Sequence, residues 1–278
     1  MKRILVPTDF SEPSQASFRF AVELATKAQA EVFVVHIIEL PFLPETTFGL
    51  QPYSFDPELI NDLGRRAAEA FDQMKRKYSP GLRVSFHPIH DHIVPGIRMF
   101  VEQNDISIVI MSTHGASGLD EFIVGSTAEK IARSSPVPVI ALPKEVEIDN
   151  IKNIVFPSAL KLDQEEVMQG LKEMQQLLDA KLHILLINTP FKFCTDEQAR
   201  TLLEKFAKHY ALHNFTLNFR NHRSERSGIL EFVDEIKADM IAMATQGRTG
   251  LAHFFQGSIA ASVLNRVDQP IWIYKLRR

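Results

Sequence analysis

Short apolar runs rich in β-branched residues recur along the chain and alternate with longer stretches of helical character. The first five are Ile4–Val6, Val32–Ile38, Arg83–Ile89, Ile106–Met111 and Val137–Leu142. Five more follow at Ile154–Phe156, Leu182–Ile187, Thr216–Arg220, Met240–Ala244 and Ile271–Tyr274. Continuous apolar runs of this kind suit strands buried on both faces. After the first run, Ser11 is placed to cap a helix with Pro13 in its opening turn. The charged stretch Pro57 to Tyr78 reads as the second helix. Strands that alternate with helices predict parallel βαβ units in a doubly wound α/β sheet.

The pattern occurs twice. Met111-Ser-Thr-His-Gly115 is matched by Met243-Ala-Thr-Gln-Gly247, Gly125-Ser126 by Gly257-Ser258, and Pro138 by Pro270, all at an offset of 132. Near the starts, Ile4-Leu-Val-Pro-Thr8 matches Ile154-Val-Phe-Pro-Ser158 at an offset of 150. The first copy therefore carries 18 extra residues, which the Pro- and Phe-rich stretch Pro41 to Pro57 would hold as a loop. Two domains are expected, at residues 1–145 and 151–278, with the polar segment Lys144 to Lys152 as linker. Pro138 and Pro270 fall in the last strand of each copy, and proline belongs on sheet edges. That edge is apolar and would invite pairing. The expectation is that the two copies pair there, forming an intrachain pseudo-dimer and leaving open a further homo-oligomer.

Composition narrows the function classes. The apolar fraction is 45% and charged residues make up 23%, with a net charge of -3, so a folded domain pair is expected and bulk attraction to nucleic acid is not. The chain has one cysteine, Cys194, which fits a reducing cytoplasm and provides no disulfide or Cys-based metal site. No apolar stretch approaches the about 20 residues needed to span a bilayer, and Ile4-Leu5-Val6 is too short for a signal peptide.

Candidate chemistry gathers in two places. Pro7-Thr8-Asp9 leaves the first strand. Ser112-x2-Gly115-x9-Gly125-Ser126-Thr127 follows the fourth. In a doubly wound sheet these strands flank the switch point, where ligands sit beyond the C-terminal strand ends. Gly115 would permit close backbone approach. Gly125-Ser126 would open a helix whose free N–H groups favour a phosphate. Asp9 would accept hydrogen bonds from ribose or base. Each has a plain alternative: Ser126-Thr-Ala-Glu129 matches a capping box, Asp9 would cap the first helix, and Gly115 would serve a turn. His87, His90, Asp91 and His92 cluster locally and could hold a divalent ion, but the stretch reads rather as a loop before Pro95, and His90 with its repeat partner His222 as a pair of solvated strand-end histidines. No Walker lysine motif or nucleophile elbow is present.

Ile4-Leu-Val-Pro-Thr-Asp-Phe-Ser11 and Met111-Ser-Thr-His-Gly-Ala-Ser-Gly…Val-Gly-Ser126 resemble the universal stress protein family, and the resemblance covers both copies. It implies a five-stranded parallel sheet per copy, pairing through the last strands, and, in one subclass, ATP binding. It implies a nucleotide site of Asp9, Ile37, Met111, Ser112, Gly115, Gly125, Ser126 and Thr127, with the Ile37 backbone at the adenine edge. The ligand would be ATP or another adenine nucleotide, with room for Mg2+. The motif's first glycine is Ser112 here and Ala244 in the second copy. The second copy also replaces the aspartate by Ala159 while keeping Gly247, Gly257 and Ser258 and adding Arg248, so it reads as a degenerate site. Asp120 and Glu121 put negative charge in the first copy's loop. The resemblance implies a stress-response binding module with an unidentified protein partner. A scaffold or small-ligand sensor without nucleotide, both sites being degenerate, and a slow ATPase remain as alternatives, the last without an evident base to position water.

Overall fold

The structure, a computed structural model, describes residues 1–39, 57–79, 81–113, 126–246 and 267–276. The first half runs β1 (Arg3–Pro7), α1 (Glu12–Ala28), β2 (Glu31–Ile37), α2 (Pro57–Tyr78), β3 (Val84–Ile89), α3 (Ile93–Gln103), β4 (Ile108–Ser112), α4 (Ser126–Ser134) and β5 (Val139–Leu142). The second runs β6 (Asn153–Pro157), α5 (Glu165–Leu178), β7 (Lys181–Asn188), α6 (Asp196–His209), β8 (Phe215–Asn221), α7 (Glu225–Glu235), β9 (Met240–Gln246) and β10 (Ile271–Leu276). The strands form one sheet in the order β3-β2-β1-β4-β5-β10-β9-β6-β7-β8. Read outward from the middle, each half repeats the same doubly wound order, with its switch point between β1 and β4 or between β6 and β9.

Strands within each half are parallel, and the halves meet where β10 pairs antiparallel with β5, Trp272 opposite Ile140. The last strands thus join the copies as the sequence suggested. Pro138 and Pro270 stand one residue before those strands rather than inside them. There their carbonyls still accept from Val109 and Ile241, so neither strand loses a ladder donor. Because the seam is antiparallel, the C-terminal strand ends of the two halves lie at opposite edges of the sheet.

Both faces of the sheet are covered. Ile4 and Val6 project into one core and Leu5 into the other, and all three are fully buried. One core packs under α1, α2, α5 and α6, the other under α3, α4 and α7. Each core runs across both halves: Phe20 and Ile140 share the first with Phe156 and Trp272, and Val139 shares the second with Ile271. Burying such side chains contributes about 1.5–3 kcal/mol each relative to exposure.

The duplication extends to backbone strain. Left-handed residues recur in pairs, Phe10 (φ 62°) with Leu160 (φ 58°), Gln29 with Asp179, and Asp105 with Lys237. The extra length of the first copy lies partly in α2, 22 residues against 14 in α6. The remainder falls in the Pro41–Pro57 connection, of which 41–56 lie outside the described residues. The linker is less polar in place than in sequence. Ile148 and Ile151 are buried in it, Glu23 accepts from the Ile148 N–H, and Lys27 pairs with Asp149 at 2.7 Å, holding that carboxyl below its usual range. Among the described residues, no helix is long and apolar enough to cross a membrane.

Candidate functional site

The turn after the first strand is built identically in both halves. The Thr8 N–H donates to the Val35 carbonyl at 2.9 Å, and the Thr8 hydroxyl accepts from the Phe10 N–H at 3.0 Å. In the second half, the Ser158 N–H donates to Leu185 and its hydroxyl accepts from the Leu160 N–H, both at 2.9 Å. A short hydroxyl side chain bonded two residues on is what lets a bulky residue hold a left-handed conformation there. The same turn therefore presents residue 9 in one half and residue 159 in the other at the switch point.

The second half shows what this arrangement encloses. A cavity of about 450 Å³ lies at the C-terminal ends of β6, β7 and β9, within the size range of small-molecule sites. Ala159, Ile187, Met243 and Ala244 line it. By the repeat offsets these are the counterparts of Asp9, Ile37, Met111 and Ser112. In the first half those four residues likewise sit at the C-terminal ends of β1, β2 and β4, with Met111 buried, Ile37 and Ser112 half-buried and Asp9 exposed. Ile37 pairs with Ile89 and packs against Gly96, where an added Cβ would lie 3.2 Å from its Cδ1.

Asp9 is engaged locally. One carboxylate oxygen accepts from the Ser11 N–H at 3.0 Å and from the Ser11 hydroxyl. Ser11 stands at the N-cap of α1 but makes no side-chain cap bond. The expectation of a simple Ser11 cap gives way to an Asp9–Ser11 turn, which combines two of the sequence alternatives. Ser126 and Thr127 open α4, and Thr127 is half-buried. His114, Gly115, Asp120, Glu121, Gly125, Gly247, Arg248, Gly257 and Ser258 lie outside the described residues.

The histidine cluster does not assemble as a set in the described structure. His87 turns inward, stacks on Phe33 with centroids 5.6 Å apart and contacts Ser85, and burial pushes its pKa down. His90 follows the end of β3 and His92 is the N-cap of α3, both exposed. Among the described residues no group of three or more metal-ligating side chains is gathered. The repeat partner of His90, His222, instead lies 3.1 Å from Glu231. The other downshifted imidazole, His183, sits among Thr216 and Asn153 at the far end of β7 from the cavity.

Sequence reasoning missed several residues of the second cleft. Lys161, Gln164, Lys192, Cys194 and Glu225 line it, and Lys192 pairs with Glu225 at 2.7 Å. Lys161 occupies the register of Ser11, so a repeat alignment carried the signal. Lys192 and Cys194 stand in the connection after β7, where the copies differ in length and no alignment reaches.

A family model described as the universal stress protein family matches residues 1–143 and again 150–275. The chain belongs to the universal stress protein family. Among its relatives, Universal stress protein Slr1230 of Synechocystis is 21% identical and matches over 99% of this chain and 100% of its own. Universal stress protein MJ0577 of Methanocaldococcus jannaschii is 28% identical over 52% of this chain and 96% of its own. A crystal structure of a universal stress protein from Archaeoglobus fulgidus superimposes with a TM-score of 0.77 at 20% identity, covering 98% of each chain. The duplicated fold is therefore shared end to end with another member.

Proposed function

We propose that this tandem universal stress protein binds ATP or a related adenine nucleotide, chiefly in its first half, and serves as a stress-response binding and signalling module. The observation that carries this reading is the equivalence of Asp9 to Ala159. The second-half residue lines a ligand-sized cavity, so the matching place in the first half puts a carboxylate at the corresponding switch point. There it would accept from ribose hydroxyls, with Ile37, Met111 and Ser112 beside the nucleoside. Gly115, Gly125, Ser126 and Thr127 would cradle the phosphates at the start of α4, whose N-terminal N–H groups favour an anion. The resemblance of Asp9 and the Ser112-x2-Gly115-x9-Gly125-Ser126 segment to the family's ATP-binding subclass supports the ligand class. The halves at 1–145 and 151–278 act in this reading as two domains, the first carrying the main nucleotide site and the second a degenerate one.

Isothermal titration with ATP, with and without Mg2+, tests it. Loss of a charged hydrogen bond is worth about 1.5–3 kcal/mol, so Asp9→Ala should weaken binding about tenfold to a hundredfold. Unchanged affinity in that variant, or no heat with the wild-type protein, would overturn the proposal. The engagement of Asp9 with Ser11 favours a second reading, in which the residue only shapes the start of α1 and the protein is a contact scaffold. Under that reading Asp9→Ala lowers the melting temperature without touching a ligand.

A further inference from the structure

We propose that the second half carries a self-association surface, on which an aromatic arm at residues 191–193 of one copy inserts into the cleft of a second copy, reciprocally, about a two-fold axis. This goes beyond the nucleotide reading of the first half and does not depend on it. The connection after β7 folds back through a bridge between Thr189 and Lys192. From there the chain alternates. Lys192 and Cys194 line the cleft, whereas Phe191 and Phe193 are 96% and 75% exposed. Asn188 fixes the arm: its Oδ1 accepts from the Cys194 N–H at 2.9 Å and its Nδ2 donates to the Cys194 carbonyl at 3.2 Å. The backbone that turns Lys192 and Cys194 inward thus holds the two phenyl rings outside the cleft of their own chain.

The cleft beside the arm supplies the matching surface. Phe156, Leu185, Ile187, Ile229 and Met243 form apolar walls, and Leu202, itself 44% exposed, also lines it. Its volume is about 450 Å³. That leaves room for a phenyl ring, since an apolar cavity of about 150 Å³ takes up benzene. An apolar projection beside an apolar hollow is self-complementary, and a two-fold axis lets each copy fill the other. With Leu202 the arm presents about 400 Å² of apolar surface, as large as the patches that monomers tolerate. That is about half of the roughly 800 Å² per partner of a standard interface, and the cleft walls add to it. Charge favours a second copy over other occupants. In the connections after β6, β7 and β8, each taken with the first turn of the helix it leads to, four basic residues stand among six acidic ones. An acidic excess repels an anionic membrane or a nucleic acid. Both signs on one surface let a copy oppose its own basic residues with acidic ones. The antiparallel seam sets this edge opposite the C-terminal strand ends of the first half, so pairing leaves Asp9 clear.

Sedimentation velocity on the full-length protein tests the proposal. Between about 1 and about 100 μM the mass should rise from one 31.5 kDa chain to two, and no further. Losing a buried aromatic anchor weakens an interface about thirtyfold or more, so Phe191→Ser combined with Phe193→Ser should stay monomeric across that range. Ala159→Trp, which plugs the cleft and leaves the arm intact, should do the same. Cys194 is the single cysteine of the chain and is partly accessible in the cleft, so its labelling by a thiol-reactive dye should slow as the wild-type protein associates, and in neither variant. All three substitutions fall at exposed positions, and melting followed by circular dichroism confirms that the variants are folded. A monomer throughout the range overturns the proposal. So does a dimer that persists in the folded Ala159→Trp variant, or a species larger than a dimer. Monomers that pellet with phosphatidylcholine vesicles through Phe191 and Phe193 overturn it too, and give the arm to a lipid surface.

Discussion

Truncating one side chain at the seam tests whether the halves are one cooperative body. Ile140 lies on β5 of the first half, is fully buried, and stands directly opposite Trp272 on β10 of the second. Both belong to the core that runs beneath α1 and α5. Ile140→Ala removes the transfer free energy of the lost carbons and leaves a cavity, together about 2–5 kcal/mol. The lost cross-strand pair contributes within that range, at about 0.2–1 kcal/mol. Taking about 3 kcal/mol, and an m-value of about 3 kcal/mol/M in urea for a chain of this size, the unfolding midpoint should fall by about 1 M. Trp272 is the only tryptophan, so its fluorescence reports the second-half side of the seam while far-UV circular dichroism reports the whole chain. Both transitions should shift together, although the substitution lies in the first half. If the fluorescence midpoint stays put while circular dichroism splits into two steps, the shared core does not couple the halves and the reasoning fails.

Two further outcomes follow from packing and protonation. An added Cβ at Gly228 would lie 2.9 Å from Ile187 Cδ1 and 3.1 Å from His222 Cβ. Overpacking of about 1–3 kcal/mol should exceed the helix-propensity gain of about 1 kcal/mol, so Gly228→Ala should lower the melting temperature, and a rise would refute the crowding argument. Burial holds His183 below the ordinary imidazole value of 6.5. As the pH falls below that value the unfolded chain takes up the proton first. Stability present at neutral pH is then lost through a window that opens near 6.5 and closes at the lower folded pKa. His183→Gln should flatten this dependence in urea midpoints taken on either side of the window, and an equally steep dependence would point to other groups.

Much of the fold was legible because the sheet is buried on both faces. A run such as Ile4-Leu5-Val6 must be apolar throughout when its residues feed two cores, and that needs no knowledge of partners. Pairing through the last strands was legible from the apolar edge, although the prolines that prompted it stand just outside the strands. The linker misled. Asp149 and Lys152 made it look solvated, yet Ile148 and Ile151 are buried there. The bounds of α2 were legible as Pro57–Tyr78, but that this helix holds part of the first copy's extra length was not, because the whole excess was assigned to the loop before it. At the site, the strand-end positions of Asp9, Ile37, Met111 and Ser112 could be read from spacing, whereas the motif glycines lie outside the described residues and the second cleft was not foreseen. Lys161, Gln164 and Lys192 acquire meaning only through the cavity they share.

The antiparallel seam has one more consequence. The C-terminal strand ends of the two halves, and with them their switch points, face away from each other. A flat surface, whether a membrane or a larger assembly, meets one of them at a time. Whatever one lobe captures is invisible by direct contact to a neighbour resting on the other. The seam where Ile140 stands opposite Trp272 is the joint that the two lobes share in the sheet.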